Sequence, residues 1–239
     1  MTTFTTPGPI TATVQVAGAR VHLNATDRAD TVVTVAPVDP TSRTDLKVAE
    51  KTKVAFTAGR LSVKTTASGA KQGSVDITID LPADSALVAY LANSSIHAAG
   101  PLGDCELHTA TSRITLARVA ALQADLGAGA LIVDRIDGEA RINGGKVAVR
   151  IGHAAADLEF SCAGGRLDID RADASVTAQA GDAPIRIGRL TNGHAKLWNG
   201  AGNIELGIDP ASSADIRTDS KKGSVTNSAA ASSVATKSS

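Results

Sequence analysis

From residue 86 onward the chain repeats itself every 17 to 19 residues, and this period constrains the fold more than any other feature. The second half of each unit reads SSIHAAG, SRITLARV, GALIVDRI, KVAVRIGH, GRLDIDRA, APIRIGRL and GNIELGI. Its first inward apolar residue is Ile96, Ile114, Leu131, Val149, Leu167, Ile185 and Ile204 in turn. The first halves recur as LQADL, ARING, LEFSC, VTAQA and AKLWN, with small-residue corners GAGA, GGK, AGG, GDAP and GAGN between the halves. A unit this short cannot bury its own apolar face, so it must stack on copies of itself. Alternation of apolar and polar residues makes each half a strand. The expected fold is all-β: a single-chain β-solenoid of about 18-residue coils, with like positions stacked in columns about 4.8 Å apart. Leu167 and Ile169 then point inward and Asp168 outward. The hexapeptide subclass fails, because every sixth residue from Leu131 or Leu167 is polar: Asp137, Asn143, Asp173, Gln179.

The N-terminal third also alternates, in ITATVQV, RVHLNA, TVVTVA, KVAFT, RLSVKT and SVDITIDLP. DPTSRTDLKVAEK at 39–51 breaks that rhythm and predicts a short surface helix, with Asp39 as cap and Pro40 in its first turn. The organisation expected is a β-rich cap over 1–85, continuous with repeats over 86–226. GSVTNS at 223–228 reads as a last degraded strand, and 227–239 as a disordered polar tail.

Composition removes several functions. Lys plus Arg equals Asp plus Glu, at 24 each, and the want of excess positive charge argues against nucleic acid as a partner. Aromatics are 2 % of the chain, namely Phe4, Phe56, Tyr90, Phe160 and Trp198, which disfavours stacking platforms for bases or sugars. The first residues, MTTFTTPGPITATV, have neither a basic region nor an apolar stretch of leader length. No run approaches the roughly 18 apolar residues that span a bilayer. The expectation is a cytoplasmic protein without membrane insertion, surface location requiring another export route. Cys105 and Cys162 fall in different columns about three coils apart, roughly 14 Å, beyond disulfide reach. Two free thiols are expected, with Cys105 a small core residue.

The segment GGRLDIDRADA at 164–174 looks like a ligand motif and fails each test. A phosphate loop needs its glycines between a strand and a helix, whereas these recur at every coil and precede strands. The nonapeptide calcium repeat requires a third glycine and the same pair nine residues on, where Asp173 and Ala174 stand. There is no GxSxG or HExxH, and His22, His97, His108, His153 and His194 are spread over the coils. No cofactor, metal or catalytic residue is expected.

Two outward columns remain. One alternates, Arg150, Asp168, Arg186, Glu205, as a register device. The other stacks like charges: Arg118, Arg135, His153, Arg171 and Arg189. Stacked cations repel, so either neighbouring Asp134, Asp137, Asp170 and Asp173 neutralise them, or they form a basic stripe about 19 Å long for a protein or polyanionic partner. If every Arg of the column is engaged by an Asp, the column is structural.

The serial coils, with FTTPGPI near the start, DTVVTVAPVDP at 30–40, GRLSVKT at 59–65, GSVDITIDLP at 73–82 and the closing GSVTNS, resemble a bacterial putative-adhesin domain family of unknown function. The resemblance implies a right-handed β-helix-like solenoid without established catalytic residues. The function expected is non-enzymatic: a binding or scaffold protein whose partner docks along a solenoid face. An exported adhesin or envelope protein is the alternative, and an enzyme on the solenoid surface a remote one. An enzyme would need acids or bases clustered on adjacent rungs around a cleft. Open solenoid ends also invite self-stacking.

Overall fold

The computed structural model describes residues 1–65, 73–210 and 215–229. In chain order the strands are β1 (Thr2–Thr5), β2 (Thr11–Ala17), β3 (Ala19–Thr26) and β4 (Asp30–Pro37), then helix α1 (Arg43–Lys51). There follow β5 (Lys53–Thr57), β6 (Arg60–Lys64), β7 (Val75–Pro82), β8 (Ala86–Ala92) and the long β9 (Ser94–Ile136). The last coils hold β10 (Ala140–Ala154), β11 (Leu158–Ala172), β12 (Val176–Asp182), β13 (Ile185–Leu190), β14 (His194–Ala201), β15 (Ile204–Ile208), β16 (Asp215–Ser220) and β17 (Val225–Ala229).

The coils form the expected β-solenoid. Leu122, Ala140, Leu158, Val176, Ala195 and Ile216 pair in parallel register as one inward column. Leu131, Val149, Leu167, Ile185, Ile204 and Val225 form another. Burial alternates along the straight runs of the coils, broken at their corners, so every second side chain there joins one continuous core of Val, Ile, Leu and Ala. Phe160 is the only fully buried aromatic in that core among the described residues.

Chain order is not stacking order at the N-terminal end. β2 lies between β6 and β8, and β3 between β7 and β9, all in parallel. The coil β2–β3 is therefore sandwiched between the later coil β6–β7 and the stack that begins with β8. The parallel stack thus includes residues 11–26, 60–64 and 75–82. The end is closed by antiparallel strands: β5 on β6, β4 on β7 and β1 on β4. Stacked rings of Phe4 and Phe56, 5.2 Å apart, join the two capping edges. An antiparallel cover removes a free parallel edge that could template association.

Helix α1 begins later than 39. Its N-cap is Ser42, whose Oγ accepts from the Asp45 N–H at 3.3 Å, while Asp45 accepts from the Ser42 hydroxyl at 3.2 Å. Asp39 instead closes a turn, accepting from the backbone and hydroxyl of Thr41. Asp45 also accepts the backbone N–H groups of Ser74 and Asp39, which lower its pKa and tie the helix to the edge of β7.

At the other end the inward row turns polar. Leu197 is followed in its column by Thr218, Asn199 by Ser220 and Leu206 by Asn227. Thr218, Ser220 and Asn227 interrupt the apolar surface that the last rung, with Ile216 and Val225, would present to a stacked copy. Strand β17 extends to 229, so 227–229 are ordered strand; the rest of the expected tail, 230–239, lies outside the described residues.

Candidate functional site on the outer columns

The structure brings Arg118, Arg135, His153, Arg171 and Arg189 together at one turn of successive coils and couples every member to a carboxylate. Asp137 bridges Arg118 and Arg135, each at 2.5 Å. Asp173 accepts from Arg171 at 2.7 Å, His153 at 2.6 Å and the Thr191 hydroxyl at 2.8 Å. Asp209 takes Arg189. Arg135 donates to His153 Nδ1 at 2.7 Å. A guanidinium cannot accept, so Nδ1 carries the lone pair and the proton sits on Nε2, facing Asp173.

The carboxyl pKa values report the same network. The Arg118 and Arg135 hydrogen bonds hold Asp137 below the ordinary carboxylate range. Burial pushes Asp173 up, but its bonds from Arg171, Thr191 and His153 prevail and leave it at about 2. Asp137 and Asp173 thus neutralise the column as anticipated, and Asp209 adds a third carboxylate. Asp170 turns instead to Arg150 and Arg186, and Asp134 makes no ion pair among the described residues. Four guanidinium groups face three carboxylates, which leaves little free positive potential for a polyanion. The alternating column keeps its register, with Arg186 reaching Asp168 at 2.6 Å and Asp170 at 3.4 Å.

Cys105 and Cys162 are free and buried. Burial, helped by Asp104, pushes the Cys105 thiol up to about 12, and burial raises that of Cys162. Neither thiol is an activated nucleophile.

A different surface stands out: the outer face of the first strand in each coil. One of its columns runs Gln15, Tyr90, His108, then Asp125, Asn143, Ser161, Gln179, Trp198, Asp219. The neighbouring column runs Val88, Glu106, then Gln123, Arg141, Glu159, Thr177, Lys196, Arg217. Tyr90 and Trp198, 43 % and 37 % exposed, are the two exposed aromatic residues among those described, and they share one column.

Three hollows lie along this face. The first, about 490 Å³, is lined by Asp104, Glu106, Glu139, Arg141, Asp157 and Glu159 among others. The second, about 540 Å³, surrounds Tyr90, His108 and Asp125. The third, about 630 Å³, holds Trp198, Lys196 and Arg217. Acids therefore predominate in the first hollow, where Arg141 pairs with Glu159 at 2.9 Å. Bases predominate in the third, where Asp219 is the one carboxylate among the described lining residues and Lys221 lies 5.5 Å over the Trp198 ring.

Within the second hollow Tyr90 stacks on His108 at 5.0 Å. His108 bonds Glu106 through Nε2 at 2.6 Å and faces Asp125 through Nδ1 at 3.4 Å. Acids and a base thus cluster on adjacent rungs of this hollow, with Nε2 of His108 hydrogen-bonded to Glu106. Among the described residues no group of three or more His, Cys, Asp or Glu is arranged to hold a metal ion, and no helix is long and apolar enough to cross a membrane. Residue counting missed this face, because five aromatics looked too few to matter. Aligning the first halves by coil reveals it: Tyr90 and Trp198 both stand three positions after the first inward residue, Leu87 and Ala195.

No protein-family model matches the sequence. No curated protein matches it either. Solved structures do share its architecture. A putative lipid binding protein from Parabacteroides distasonis ATCC 8503 superposes with a TM-score of 0.57 at 13 % identity, over 94 % of this chain and 96 % of that one. A putative adhesin from Parabacteroides merdae ATCC 43184 gives 0.56 at 14 % identity, over 95 % and 94 %. The chain thus has the β-solenoid fold of proteins described as putative adhesins, the resemblance its repeats suggested.

Proposed function

We propose that the protein is a non-catalytic, adhesin-like binding module that recognises its partner through the outer face of the first strands. The observation that carries this reading is the placement of both exposed aromatics of the described residues on that face, each within a hollow, while the basic column at the turn is occupied by its own carboxylates. Exposed aromatic anchors amid hydrogen-bonding side chains are the composition of a recognition surface. The putative adhesin and putative lipid binding protein of the same fold support a binding role.

The test compares the intact chain with Tyr90→Ala/Trp198→Ala and with Arg135→Ala/Arg171→Ala/Arg189→Ala, on a glycan array and on phosphatidylglycerol and phosphatidylcholine vesicles. Binding should fall at least tenfold in the aromatic pair and persist in the arginine triple. The opposite pattern would return recognition to the basic column.

A further inference from the structure

We infer that a second copy of this chain docks on the outer face of the first strands, antiparallel, as a two-fold symmetric dimer. The inference rests on the reading of this face as the recognition surface and names its occupant. Three features of the face point there.

The first is charge. The acids Asp104, Glu106, Glu139, Asp157 and Glu159 lie along its N-terminal half and middle, with Arg141 among them. Lys196 and Arg217 lie in the C-terminal hollow beside one carboxylate, Asp219, with Lys221 over Trp198. A face with an acidic and a basic end is complementary to itself only when reversed.

The second is register. A 180° rotation about an axis along the strands, midway between the Arg141 and Glu159 rungs, maps each column onto itself in reverse. Arg141 and Glu159, already paired at 2.9 Å within each chain, then meet the same pair of the other copy, so the dimer gains no new charge pairing there. Glu106 meets Lys196, Asn143 meets Ser161, Asp125 meets Gln179 and Tyr90 meets Asp219. Trp198 meets His108, entering the hollow lined by Tyr90, His108 and Asp125, where an aromatic stack and an acceptor for the indole N–H await it. The like-charged Glu139 and Asp157 fall in the turns before the strands, at the rim, where solvent screens them.

The third is size. Eight rungs at about 4.8 Å and strands of about five residues give roughly 600 Å² per copy, so about 1,200 Å² in all, the lower edge of a specific interface. The expected dimer is modest in affinity and weakened by salt.

Sedimentation velocity on the full chain between about 1 and 100 µM decides it, with far-ultraviolet circular dichroism confirming the fold of each variant. The intact chain should dimerise, more weakly at 0.5 M than at 0.05 M NaCl. Glu106→Lys and Lys196→Glu should each raise the dissociation constant at least tenfold. Glu106→Lys/Lys196→Glu in one chain should bring it back to within about threefold, because the symmetry places each new residue opposite the other. A chain monomeric at 100 µM overturns the inference, as does a double variant no tighter than the singles. A monomer that still loses glycan or vesicle binding through Tyr90→Ala/Trp198→Ala would overturn the dimer and leave the recognition face standing.

Discussion

Gly165 should be irreplaceable and Gly164, its neighbour in the same corner, should not. Gly165 has φ +120°, and a Cβ built on it would lie 1.8 Å from the Val147 carbonyl oxygen and 2.6 Å from its carbon. Those atoms are backbone of the preceding coil, so no rotamer change relieves the overlap. Gly164 has no such φ, and its added Cβ would meet only the Asp182 carbonyl, at 3.3 Å. The Gly165→Ala backbone strain costs about 1–3 kcal/mol. Easing the clash means separating two coils, at about 1 kcal/mol for each ladder hydrogen bond stretched. Together these predict a loss of about 3–5 kcal/mol, or roughly 6–20 °C in Tm for a chain of this size. For Gly164→Ala the small adjustment at Asp182 is offset by the reduced entropy of the unfolded chain, about 0.4–1 kcal/mol, so the net change should stay within about 1 kcal/mol. Urea titration and thermal melts read both numbers. Equal losses in the two variants, or a Gly165→Ala loss under about 1 kcal/mol, would refute the argument that inter-coil backbone contact fixes this glycine.

Two further outcomes follow from the titratable groups. The Asp173 carboxyl, at about 2 when folded, contributes stability that is present above the unfolded carboxylate range and lost as pH falls from about 4 toward 2. Asp173→Asn should therefore lower stability at pH 7 by about 1–2 kcal/mol, allowing for partial exposure, and the gap to the parent should close on acidification; a pH-independent gap would contradict this. The Cys105 thiol, raised to about 12, should resist Ellman's reagent at pH 8 in the folded protein and react only in denaturant. Rapid native labelling at Cys105 would show that its column is not closed.

The coils were legible because their signal is redundant. Six or seven copies of an inward pair such as Leu167 and Ile169, each between small-residue corners, specify both strand identity and register. The same logic placed Arg118, Arg135, His153, Arg171 and Arg189 in one column. Asp137 and Asp173 were legible as partners because they stand two residues from Arg135 and Arg171, whereas Asp209, twenty residues beyond Arg189, sits across a coil and not beside it in sequence. The stacking position of β2–β3 was equally hidden. A strand between β6 and β8 looks locally the same as one in chain order, since alternation fixes the face and leaves the neighbour open. The helix start slipped because Asp39 and Pro40 mimic a cap, whereas Ser42 with Asp45 three residues later carries the capping-box spacing.

The zero net charge of the chain conceals two different surface designs. Along the second strands and their turns, opposite charges occupy the same or adjacent rungs, as in Arg150, Asp168 and Arg186, or in Arg171 beside Asp173. Such columns satisfy themselves within one chain and gain little from a partner. Along the first strands Arg141 and Glu159 pair on adjacent rungs at 2.9 Å, but Glu106 near one end stands several rungs from Lys196 and Arg217 near the other, beyond a Debye length at physiological salt. Separation forfeits the local attraction that alternation would have supplied at no structural cost. A stacked repeat offers every rung the same geometry, so the segregation is a property of sequence and not of fold. Apart from the Arg141–Glu159 pair, the separated charges Glu106, Lys196 and Arg217 gain little from one another within the chain, and the proposed dimer is the arrangement that would set Glu106 opposite Lys196.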